Sequence, residues 1–554
     1  MTLHRLLIAA ALIALALLGY FLFPGHTYLQ SDTQIWLPIL ERLWDPSVLS
    51  KDLLAREPHA SFTVYDEVAL LLRRVTGLGF REILTAEQLV CRALGILGVF
   101  LLASALGLAT RPALLVTAWY SLGATIVGPA VLVLEYEPVP RGFAIPLLLL
   151  ALGLAAHGRD VGAGIAAAAA FLFHPPSVYP FWVVYFCLTL WPAKPATMKL
   201  RIEGLLPILG GVLLLFLLSR LQTGAGEPQA FWSRIDAPLE RLQRMRASYN
   251  WISAWSPVWI RHYLFLGAVA LAAFWRVRRS ASQDLRFFLV GLPVVGMLSM
   301  PVSYLLLEKM KWSLIPQLQP LRALLLVTVL ALVLAAAAAA KAAERGRWWE
   351  SALWLLPAVA IPVHTRVLQV LWPNLANPTL RRRAALVVLL ALLGTLALAA
   401  CRLRQRWPGW AALALAALLP FALIPGYAQV RNYPNLHHPE LEDLSRWAHS
   451  QTPKDAVFLF PDAGQELYPG IFRAEALRAV YVDWKAGGQI NFLKAFAREW
   501  WPRWQQTMAG TFQPEKVDAH PALGIDYVVL RGANRLPGRN PVYENSRYRV
   551  YRLR

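Results

Sequence analysis

The chain alternates between long apolar runs and short polar connections over most of its length. Between residues 5 and 427 the apolar runs are long enough to cross roughly 30 Å of hydrocarbon as helices of about 17–25 residues. A backbone that crosses a bilayer must satisfy its own hydrogen bonds, so each run predicts a transmembrane helix. The pattern predicts about thirteen spans, at residues 5–23, 88–108, 112–134, 139–157, 161–174, 178–193, 204–219, 260–275, 287–307, 321–340, 350–371, 384–400 and 408–427.

The first long polar connection, residues 25–87, carries a helical pattern of its own. In IWLPILERLWD the apolar residues recur at three- and four-residue spacing, and residues 64–75 repeat this spacing. The connection therefore predicts two amphipathic interfacial helices, with Trp36, Trp44 and Tyr65 at the depth of the lipid headgroups.

The chain changes character at residue 428, after the last apolar run. LEDLSRWAHS and FLKAFAREWWPRWQQTM have helical periodicity, whereas AVFLFP, RAVYVDW, IDYVVLRG and RYRVYRLR have the composition of strands. These elements predict a small soluble α/β domain over residues 428–554, after a membrane domain over residues 1–427. The predicted fold class is a mainly α polytopic membrane protein with this domain at its C-terminus.

Composition supports the membrane assignment, and charge predicts its orientation. Hydrophobic residues make up 57% of the chain and charged residues 16%, far from the usage of soluble domains. The formal net charge of +21 is concentrated at span ends, as in residues 194–203 and 401–407, which indicates cytoplasmic connections and a cytoplasmic N-terminus rather than a nucleic-acid site. The C-terminal domain is then extracytoplasmic. A basic cluster at residues 381–383 falls on the opposite side, so charge does not fix the topology of residues 350–407.

Signature motifs of several enzyme classes are absent from the sequence. It contains no P-loop, dinucleotide fingerprint, HExxH or paired CxxC motif. Cys91, Cys187 and Cys401 each lie in or beside an apolar run, which is typical of buried small residues rather than of a disulfide framework. Any chemistry must therefore come from ionisable residues near the ends of the spans.

Asp32 is the first such candidate, in the stretch SDTQIWLP after the first span. Aspartate ahead of an apolar helical run is a favoured N-cap, so one interpretation is a structural cap or a solvated loop acid. The alternative is a general base at the membrane surface, where partial desolvation raises the pKa of a carboxylate towards a useful value. The local sequence leaves both interpretations open.

A second candidate group follows the third predicted span, in LEYEPVPRGFAIP. Glu135, Glu137 and Arg141 lie close together there, and Pro138 and Pro140 restrict the backbone between them. An ordinary surface ion pair is one interpretation. A functional cluster is the other, because a charge at the start of a span is costly unless it has a partner.

Further cationic candidates lie on the same predicted face of the membrane. His174 ends the fifth predicted span in FLFHPPSVYP, and Lys309, Lys311 and Arg322 lie in LLLEKMKWSLIPQLQPLRALLL. Such cations can extend to lipid headgroups. Together with Arg141 they can instead bind a phosphate or pyrophosphate on a lipid, because arginine offers bidentate geometry and lysine a point charge.

These features resemble the GT-C superfamily of polytopic glycosyltransferases. The resemblance rests on a first helix soon followed by an acidic residue, two amphipathic helices, many further spans and a C-terminal domain. It also rests on SDTQIWLP, EPVPRGFAIPLLLLALGLAAHGRDVGAGIAAAAAFLFHPPS and PQLQPLRALL, which are similar to stretches of bacterial members. It covers the organisation of residues 1–345 and implies a multi-pass protein of the bacterial inner membrane.

The resemblance implies transfer of a sugar from a polyprenyl-phosphate-linked donor to a glycan, lipid or protein acceptor at the outer face of the membrane. It implies that Asp32 is the general base, that Glu135 or Glu137 supports it, and that a single displacement inverts the anomeric carbon. The donor phosphate would be bound by Arg141, His174, Lys309, Lys311 and Arg322. Several GT-C members have a second acid beside the outer-loop aspartate, whereas here the neighbour is Thr33, so use of a divalent metal stays open.

Two other classes of function remain open at the level of sequence. A non-catalytic scaffold would bind a cell-envelope partner through the C-terminal domain and use the helices as an anchor. A lipid or glycan transporter would need ionisable residues in the middle of the membrane, and the predicted spans contain few.

Overall fold

The computed structural model describes residues 3–57, 63–129, 131–221, 231–363, 366–371, 377–402 and 406–554. In these ranges the α-helices are α1 Leu3–Phe21, α2 Thr33–Trp44, α3 Tyr65–Thr76, α4 Phe80–Ala105, α5 Thr110–Tyr120, α6 Pro140–Ala156, α7 Asp160–Phe173, α8 Pro175–Leu190, α9 Pro195–Leu221, α10 Ala237–Arg246, α11 Pro257–Val277, α12 Gln283–Ser303, α13 Ile315–Leu318, α14 Leu324–Ala343, α15 Trp348–Val363, α16 Arg366–Leu371, α17 Pro378–Ala400, α18 Arg406–Gly426, α19 Pro439–Gln451, α20 Tyr468–Ala476 and α21 Lys494–Thr507. The strands are β1 Thr125–Ile126, β2 Val131–Leu132, β3 Val457–Leu459, β4 Ala479–Val480, β5 Tyr527–Arg531, β6 Tyr543–Glu544 and β7 Tyr548–Arg552.

The helical part has the length and composition of a membrane domain. Within the described ranges, eight helical segments are long and apolar enough to cross a membrane: Leu3–Phe21, Phe80–Ala105, Pro195–Leu218, Pro257–Ser280, Gln283–Lys309, Ile315–Ala343, Pro378–Ala400 and Trp407–Gly426. The shorter apolar helices α6, α7 and α15 accompany them. The predicted mainly α, polytopic fold class is confirmed, whereas the count of about thirteen spans is not. Part of the predicted span at 350–371 lies outside the described residues.

One predicted span is wrong. The apolar run at residues 112–134 is helical only as far as Tyr120, and its second half forms an antiparallel hairpin of β1 and β2. Gly123 and Gly128 have φ angles of +67° and +89°, which glycine adopts without the steric cost that a Cβ brings. Apolar content alone does not separate a buried strand from a helix. Non-helical backbone in a membrane domain is tolerated where it lines a cavity, as this hairpin does.

The crossing of α4 and α6 is built on small residues. A Cβ on Gly98 would lie 2.4 Å from the backbone carbonyl carbon of Leu149, and a Cβ on Gly153 would lie 2.3 Å from the carbonyl oxygen of Gly98. Glycine lets the two helix backbones approach this closely. Because Arg141 is the second residue of α6, this crossing also fixes the position of Arg141 relative to α4.

The centre of the bundle is α14, which is buried at every position from Leu324 to Ala340. A helix that is apolar all round must be covered by other helices, here mainly α11, α12 and α15. Arg322 lies in the 3₁₀ turn Pro320–Ala323 that leads directly into α14. The central helix therefore holds Arg322 in a fixed place.

The C-terminal part forms the predicted α/β domain. Its sheet has the strand order β4-β3-β5-β7-β6, in which β3 is parallel to β4 and β5, and β7 is antiparallel to β5 and β6. The predicted helices and strands correspond to α19, α21, β3, β4, β5 and β7. Helix α20 and the short edge strand β6 are present in addition.

The connection between α1 and α4, which we call the first loop, shares a hydrophobic core with the C-terminal domain. The two predicted helices are present as α2 and α3, and Ile35, Ile39 and Leu40 of α2 belong to the same buried core as the strands β3 and β5. A Cβ on Gly470 of α20 would lie 2.2 Å from Oε1 of Gln34, so α2 and α20 pack in close contact. The apolar face of α2 is covered by protein, and the position of α2 and α3 at the membrane interface stays a prediction.

A buried ion cluster joins the first loop to the C-terminal domain. Arg473 of α20 donates from Nε to Asp52 Oδ2 at 2.7 Å and from Nη2 to Asp483, and all three side chains are almost fully buried. Asp52 also accepts backbone N–H groups of Leu54 at 2.9 Å and Val480 at 2.9 Å. Charges buried in this way need partners on every side, so the cluster fixes how the two parts meet.

Candidate functional site

A cavity of about 740 Å³ lies between the membrane domain and the C-terminal domain. Its walls come from the start of α2, the hairpin β1–β2, the start of α6, the α7–α8 junction, α9, the turn before α14 and residues 485–492 of the C-terminal domain. The lining contains five of the residues predicted from the sequence: Asp32, Glu135, Arg141, His174 and Arg322.

Asp32 occupies the N-cap position of α2, but its carboxylate does not cap the helix. Its side chain accepts no hydrogen bond from the first turn. Glu137 holds this loop instead, since its carboxylate accepts the backbone N–H groups of Ser31 at 2.6 Å and Thr33 at 3.1 Å. The capping interpretation is therefore wrong, and the carboxylate of Asp32 is directed into the cavity.

Both oxygens of Asp32 are bound by cations. Arg141 donates from Nη1 to Oδ2 at 2.6 Å, and Lys485 donates from Nζ to Oδ1 at 2.5 Å. Arg141 also donates from Nε to Glu135 Oε1 at 2.7 Å, and Lys485 donates to Ser31 Oγ at 3.0 Å. The side chain of Asp32 keeps 25% of its exposure, so the group remains accessible from the cavity.

These cations lower the pKa of Asp32. Burial raises the pKa of this carboxyl, but the charges and hydrogen bonds of Lys485 and Arg141 outweigh burial and hold it well below the usual value. The expectation that desolvation leaves Asp32 with a raised pKa is therefore wrong in this arrangement. In contrast, burial and the neighbouring charge of Asp32 raise the pKa of Glu137, although the N–H groups of Ser31 and Thr33 partly offset this.

The segment that carries Glu135 is tied to the membrane helices. Arg92 of α4, almost fully buried, donates from Nη1 to the carbonyl oxygen of Gly19 and from Nη2 to that of Glu135, both at 2.8 Å. Gln88 donates to the same Glu135 carbonyl at 2.9 Å. The Glu135–Arg141 pair is thereby positioned by α1 and α4 before any ligand binds.

His174 and Arg322 form a second polar group in the cavity. Arg322 donates from Nη1 to Nε2 of His174 at 2.5 Å, and Nδ1 of His174 lies 3.0 Å from Oγ of Ser177. Because a guanidinium can only donate, Nε2 is an acceptor and the imidazole is neutral. Among the described residues, Nε of Arg322 and both amide atoms of Gln319 are buried without a partner. Unpaired buried donors are costly, so this end of the cavity is suited to a polar or anionic ligand.

Part of the cavity wall is apolar. Val212, Leu215 and Phe216 of α9 line it, and 41% of Val212 and 53% of Phe216 are exposed. These residues lie in a segment that is long and apolar enough to cross a membrane. A helix that is apolar and exposed there offers a surface for lipid chains, next to a cavity that also contains cations.

Three predicted residues are placed differently from Asp32. Lys311 donates to Glu240 Oε1 at 2.5 Å, and Lys309 lies over the ring of Tyr304 at 5.4 Å. Neither lysine is part of the cavity lining. Glu137 lies beneath the lining and acts on the backbone of the Asp32 loop. Lys309 and Lys311 therefore lie outside the cation group of this cavity, and their role in phosphate binding stays a prediction.

The sequence did not single out Lys485, Arg246 or Tyr249, which also line the cavity. Arg246 stacks on Trp484 at 4.2 Å and donates to its carbonyl oxygen at 2.7 Å, so it bridges α10 and the C-terminal domain. The available signal was compositional, since a lysine follows a tryptophan and precedes Ala-Gly-Gly in DWKAGGQ. Glycine at such a position allows close approach of the backbone, but it does not identify the partner.

The donor set does not fit a divalent metal in this arrangement. No group of three or more His, Cys, Asp or Glu side chains in the described ranges is arranged to hold a metal ion. Among the described residues that line the cavity, the carboxylates are those of Asp32 and Glu135, and both are bound by the guanidinium of Arg141. The positive charge that a metal would bring is already supplied by arginine and lysine side chains.

Comparison with known proteins gives one family match and several structural likenesses. Residues 439–507 match a domain of unknown function, DUF6798. No match was found among curated protein sequences.

Three solved structures are similar over nearly the whole chain. ArnT from Cupriavidus metallidurans bound to undecaprenyl phosphate is 14% identical, covers 99% of this chain and 97% of its own, and has a TM-score of 0.49. The archaeal oligosaccharyltransferase AglB from Archaeoglobus fulgidus, in complex with an inhibitory peptide and a dolichol-phosphate, is 12% identical over 96% of this chain and 70% of its own, with a TM-score of 0.41. The arabinofuranosyltransferase AftD from Mycobacteria is 14% identical over 100% of this chain and 42% of its own, with a TM-score of 0.43.

All three are membrane glycosyltransferases of the GT-C superfamily, which is the superfamily that the sequence resembles. At these identities and TM-scores the likeness assigns no activity. The function of this chain therefore rests on the residues of its own cavity.

Proposed function

We propose that this protein is an inverting glycosyltransferase that moves a sugar from a polyprenyl-phosphate-linked donor to an acceptor at the outer face of the membrane. The observation that carries the proposal is the cavity itself, which joins an exposed apolar helix face on α9 to a buried group of cations around Asp32. A lipid-linked donor has the matching shape, with an apolar chain, an anionic phosphate and a polar sugar.

The charges of the cavity suit a phosphate that gains negative charge. Among the described lining residues, four cations face two carboxylates: Arg141, Arg246, Arg322 and Lys485 against Asp32 and Glu135. The donor phosphodiester carries one negative charge, and the departing phosphate monoester carries about two near neutral pH. Fixed cations that stabilise the second charge lower the barrier without a proton donor for the leaving group. Arg322 and Gln319 offer unpaired donors for this purpose.

The proposed reaction is a single displacement. The acceptor hydroxyl oxygen forms a bond to the anomeric carbon while the bond from that carbon to the phosphate oxygen breaks. The hydroxyl proton passes to the carboxylate of Asp32, and the electron pair of the broken bond remains on the lipid phosphate. One displacement at one face inverts the anomeric carbon.

The test uses the full chain in lipid nanodiscs with a series of polyprenyl-phosphate-linked sugars and measures the release of polyprenyl phosphate. Asp32→Asn is expected to lower the transfer rate by about 10²–10⁴-fold while the lipid phosphate still binds, as removal of a general base does. Asp518→Asn, which changes an exposed acid paired with Arg539, is the matched control and should transfer normally.

Two outcomes would count against the proposal in different ways. Undiminished transfer by Asp32→Asn would remove Asp32 from the role of base. Failure of the wild-type chain to bind any polyprenyl phosphate would instead favour the scaffold, because a scaffold needs no lipid-phosphate site.

A further inference from the structure

We propose that Lys485 is an exchangeable cation that holds Asp32 before the donor binds and moves to the phosphate of the donor when it arrives, which frees the carboxylate to act as base. This inference rests on the proposed function and adds a device that couples donor binding to base activity. It also assigns the C-terminal domain a direct part in the site.

The need for such a device follows from the contacts of Asp32. Arg141 binds one of its oxygens at 2.6 Å and Lys485 binds the other at 2.5 Å. A carboxylate whose two oxygens are both bound by cations is a poor proton acceptor. One of the two cations must therefore leave before Asp32 can take a proton from the acceptor hydroxyl.

Lys485 is the cation that can leave. Arg141 is also bound to Glu135 at 2.7 Å, and Glu135 is almost fully buried. Arg141 is therefore held by two carboxylates, those of Asp32 and Glu135. Among the described residues, the one further hydrogen-bond partner of Lys485 is Oγ of Ser31, at 3.0 Å. A lysine ammonium on a flexible four-carbon stem can change partners by rotation of its side chain, whereas a guanidinium bound to two carboxylates has to break several bonds at once.

The backbone under Lys485 is fixed, so that only its side chain is free to move. Asp483 accepts a hydrogen bond from Nη2 of the buried Arg473 and another from the backbone N–H of Ala486, at 3.0 Å. Trp500 donates to the carbonyl oxygen of Asp483 at 2.8 Å, and a Cβ on Gly487 would lie 2.3 Å from the ring of Trp500. This packing presents Lys485 to the same cavity that contains Arg322.

The electrostatics favour exchange once a phosphate is present. A phosphate oxygen is an acceptor of the same kind as the carboxylate, and it enters a cavity where Arg322 and Gln319 still have unpaired donors. When Lys485 turns to the phosphate, burial still raises the pKa of Asp32 and one of the two opposing cations is gone. The same movement therefore binds the donor and makes Asp32 a stronger base.

The test is a double-mutant cycle on the binding of undecaprenyl phosphate to the full chain in nanodiscs, with no sugar or acceptor present. Asp32→Asn should tighten binding about tenfold, because Lys485 no longer has to leave a carboxylate, and a tenfold change equals about 1.4 kcal/mol. In a Lys485→Met background the same change should tighten binding by no more than about threefold, because only the removed negative charge contributes.

Glu135→Gln is the matched control for charge. It removes one carboxylate from the same cavity, but Glu135 is bound to Arg141 and not to Lys485. Its effect should therefore be additive with Lys485→Met. If Asp32→Asn is also additive with Lys485→Met, the exchange does not occur.

A second measurement covers the case in which Lys485→Met does not fold. Infrared difference spectra of the wild-type chain with isotope-labelled aspartate should show a carboxylate band that shifts on addition of undecaprenyl phosphate and that is missing in Asp32→Asn. An unchanged band would overturn the exchange. Because neither measurement uses sugar transfer, a chain that shows the exchange but transfers no sugar would refute only the proposed function.

Discussion

Replacement of Arg473 by leucine tests whether the buried ion cluster fixes the C-terminal domain on the first loop. Arg473 is 1% exposed, and its partners Asp52 and Asp483 are both fully buried. Arg473→Leu leaves two carboxylates in a protein interior with no cation between them. Removal of one partner from a buried ion pair costs about 3–5 kcal/mol, and the expected loss in the free energy of unfolding is of this size.

The assay is chemical unfolding of the full chain in detergent, followed by tryptophan fluorescence. Trp484, Trp500 and Trp504 report on the unfolding of this region, because they pack together in the C-terminal domain beside the cluster. Arg531→Leu is the matched control. It removes an arginine that forms two short bonds to Glu466, but this pair is exposed, so the expected cost is at most about 1 kcal/mol.

The buried ion cluster is connected to the cavity through the segment that carries Lys485. Asp483 is bonded to Arg473 and lies two residues before Lys485. Arg473→Leu should therefore also weaken binding of undecaprenyl phosphate, in contrast to Arg531→Leu. Equal stability losses in the two variants would show that the buried cluster does not fix the C-terminal domain. Normal lipid-phosphate binding by a destabilised Arg473→Leu chain would show that the cluster does not support the cavity.

The remaining predictions concern the site and the membrane helices. The pKa of Asp32 is held below its usual value, so the stability that Asp32 contributes is fully present above pH of about 4 and is lost as pH falls further, and the difference in melting temperature between wild type and Asp32→Asn should shrink only in that range. Gly153→Val should destabilise the chain by about 1–3 kcal/mol through overpacking of α4 and α6, whereas Gly210→Val, with open space around its Cβ, should not, as thermal unfolding will show. Val212→Glu should weaken binding of long-chain polyprenyl phosphates more than that of short-chain ones in nanodiscs, because it places a charge at the apolar side of the cavity. Lys311→Met should leave undecaprenyl phosphate binding unchanged in the same assay, because Lys311 binds Glu240 outside the cavity.

Much of the fold could be predicted because long apolar runs and amphipathic periodicity are local signals. The hairpin after Tyr120 was missed because its residues are as apolar as those of a helix, although Gly123 and the Gly128-Pro129 pair interrupt the run and are a turn signal. The surroundings of α2 could not be predicted for a similar reason. Its apolar stripe predicts a surface that must be covered, and periodicity does not reveal whether lipid or the C-terminal domain covers it.

The candidate site, too, could be predicted only in part from local signals in the sequence. Asp32, Glu135, Arg141, His174 and Arg322 were found because each is a charged or titratable residue at the end of an apolar run, where charge is costly without a reason. Lys309 and Lys311 also lie at the end of an apolar run, yet they lie outside the cavity. The end of an apolar run indicates how deep a residue lies in the membrane, but it does not indicate which residues lie next to one another at that depth. Which cations converge depends on the turn before α14 and on the crossing of α4 and α6.

Lys485 is the residue that no local rule could supply. It lies 453 positions from Asp32 in the sequence, in a domain whose own pattern predicts only a soluble α/β fold. Its contact with Asp32 exists because Asp52, Arg473 and Asp483 bring the first loop and the C-terminal domain together at one place. The packing that stabilises the fold is thus also what completes the cation group, and a change in the buried cluster should be measurable first as a change in lipid-phosphate binding at the cavity.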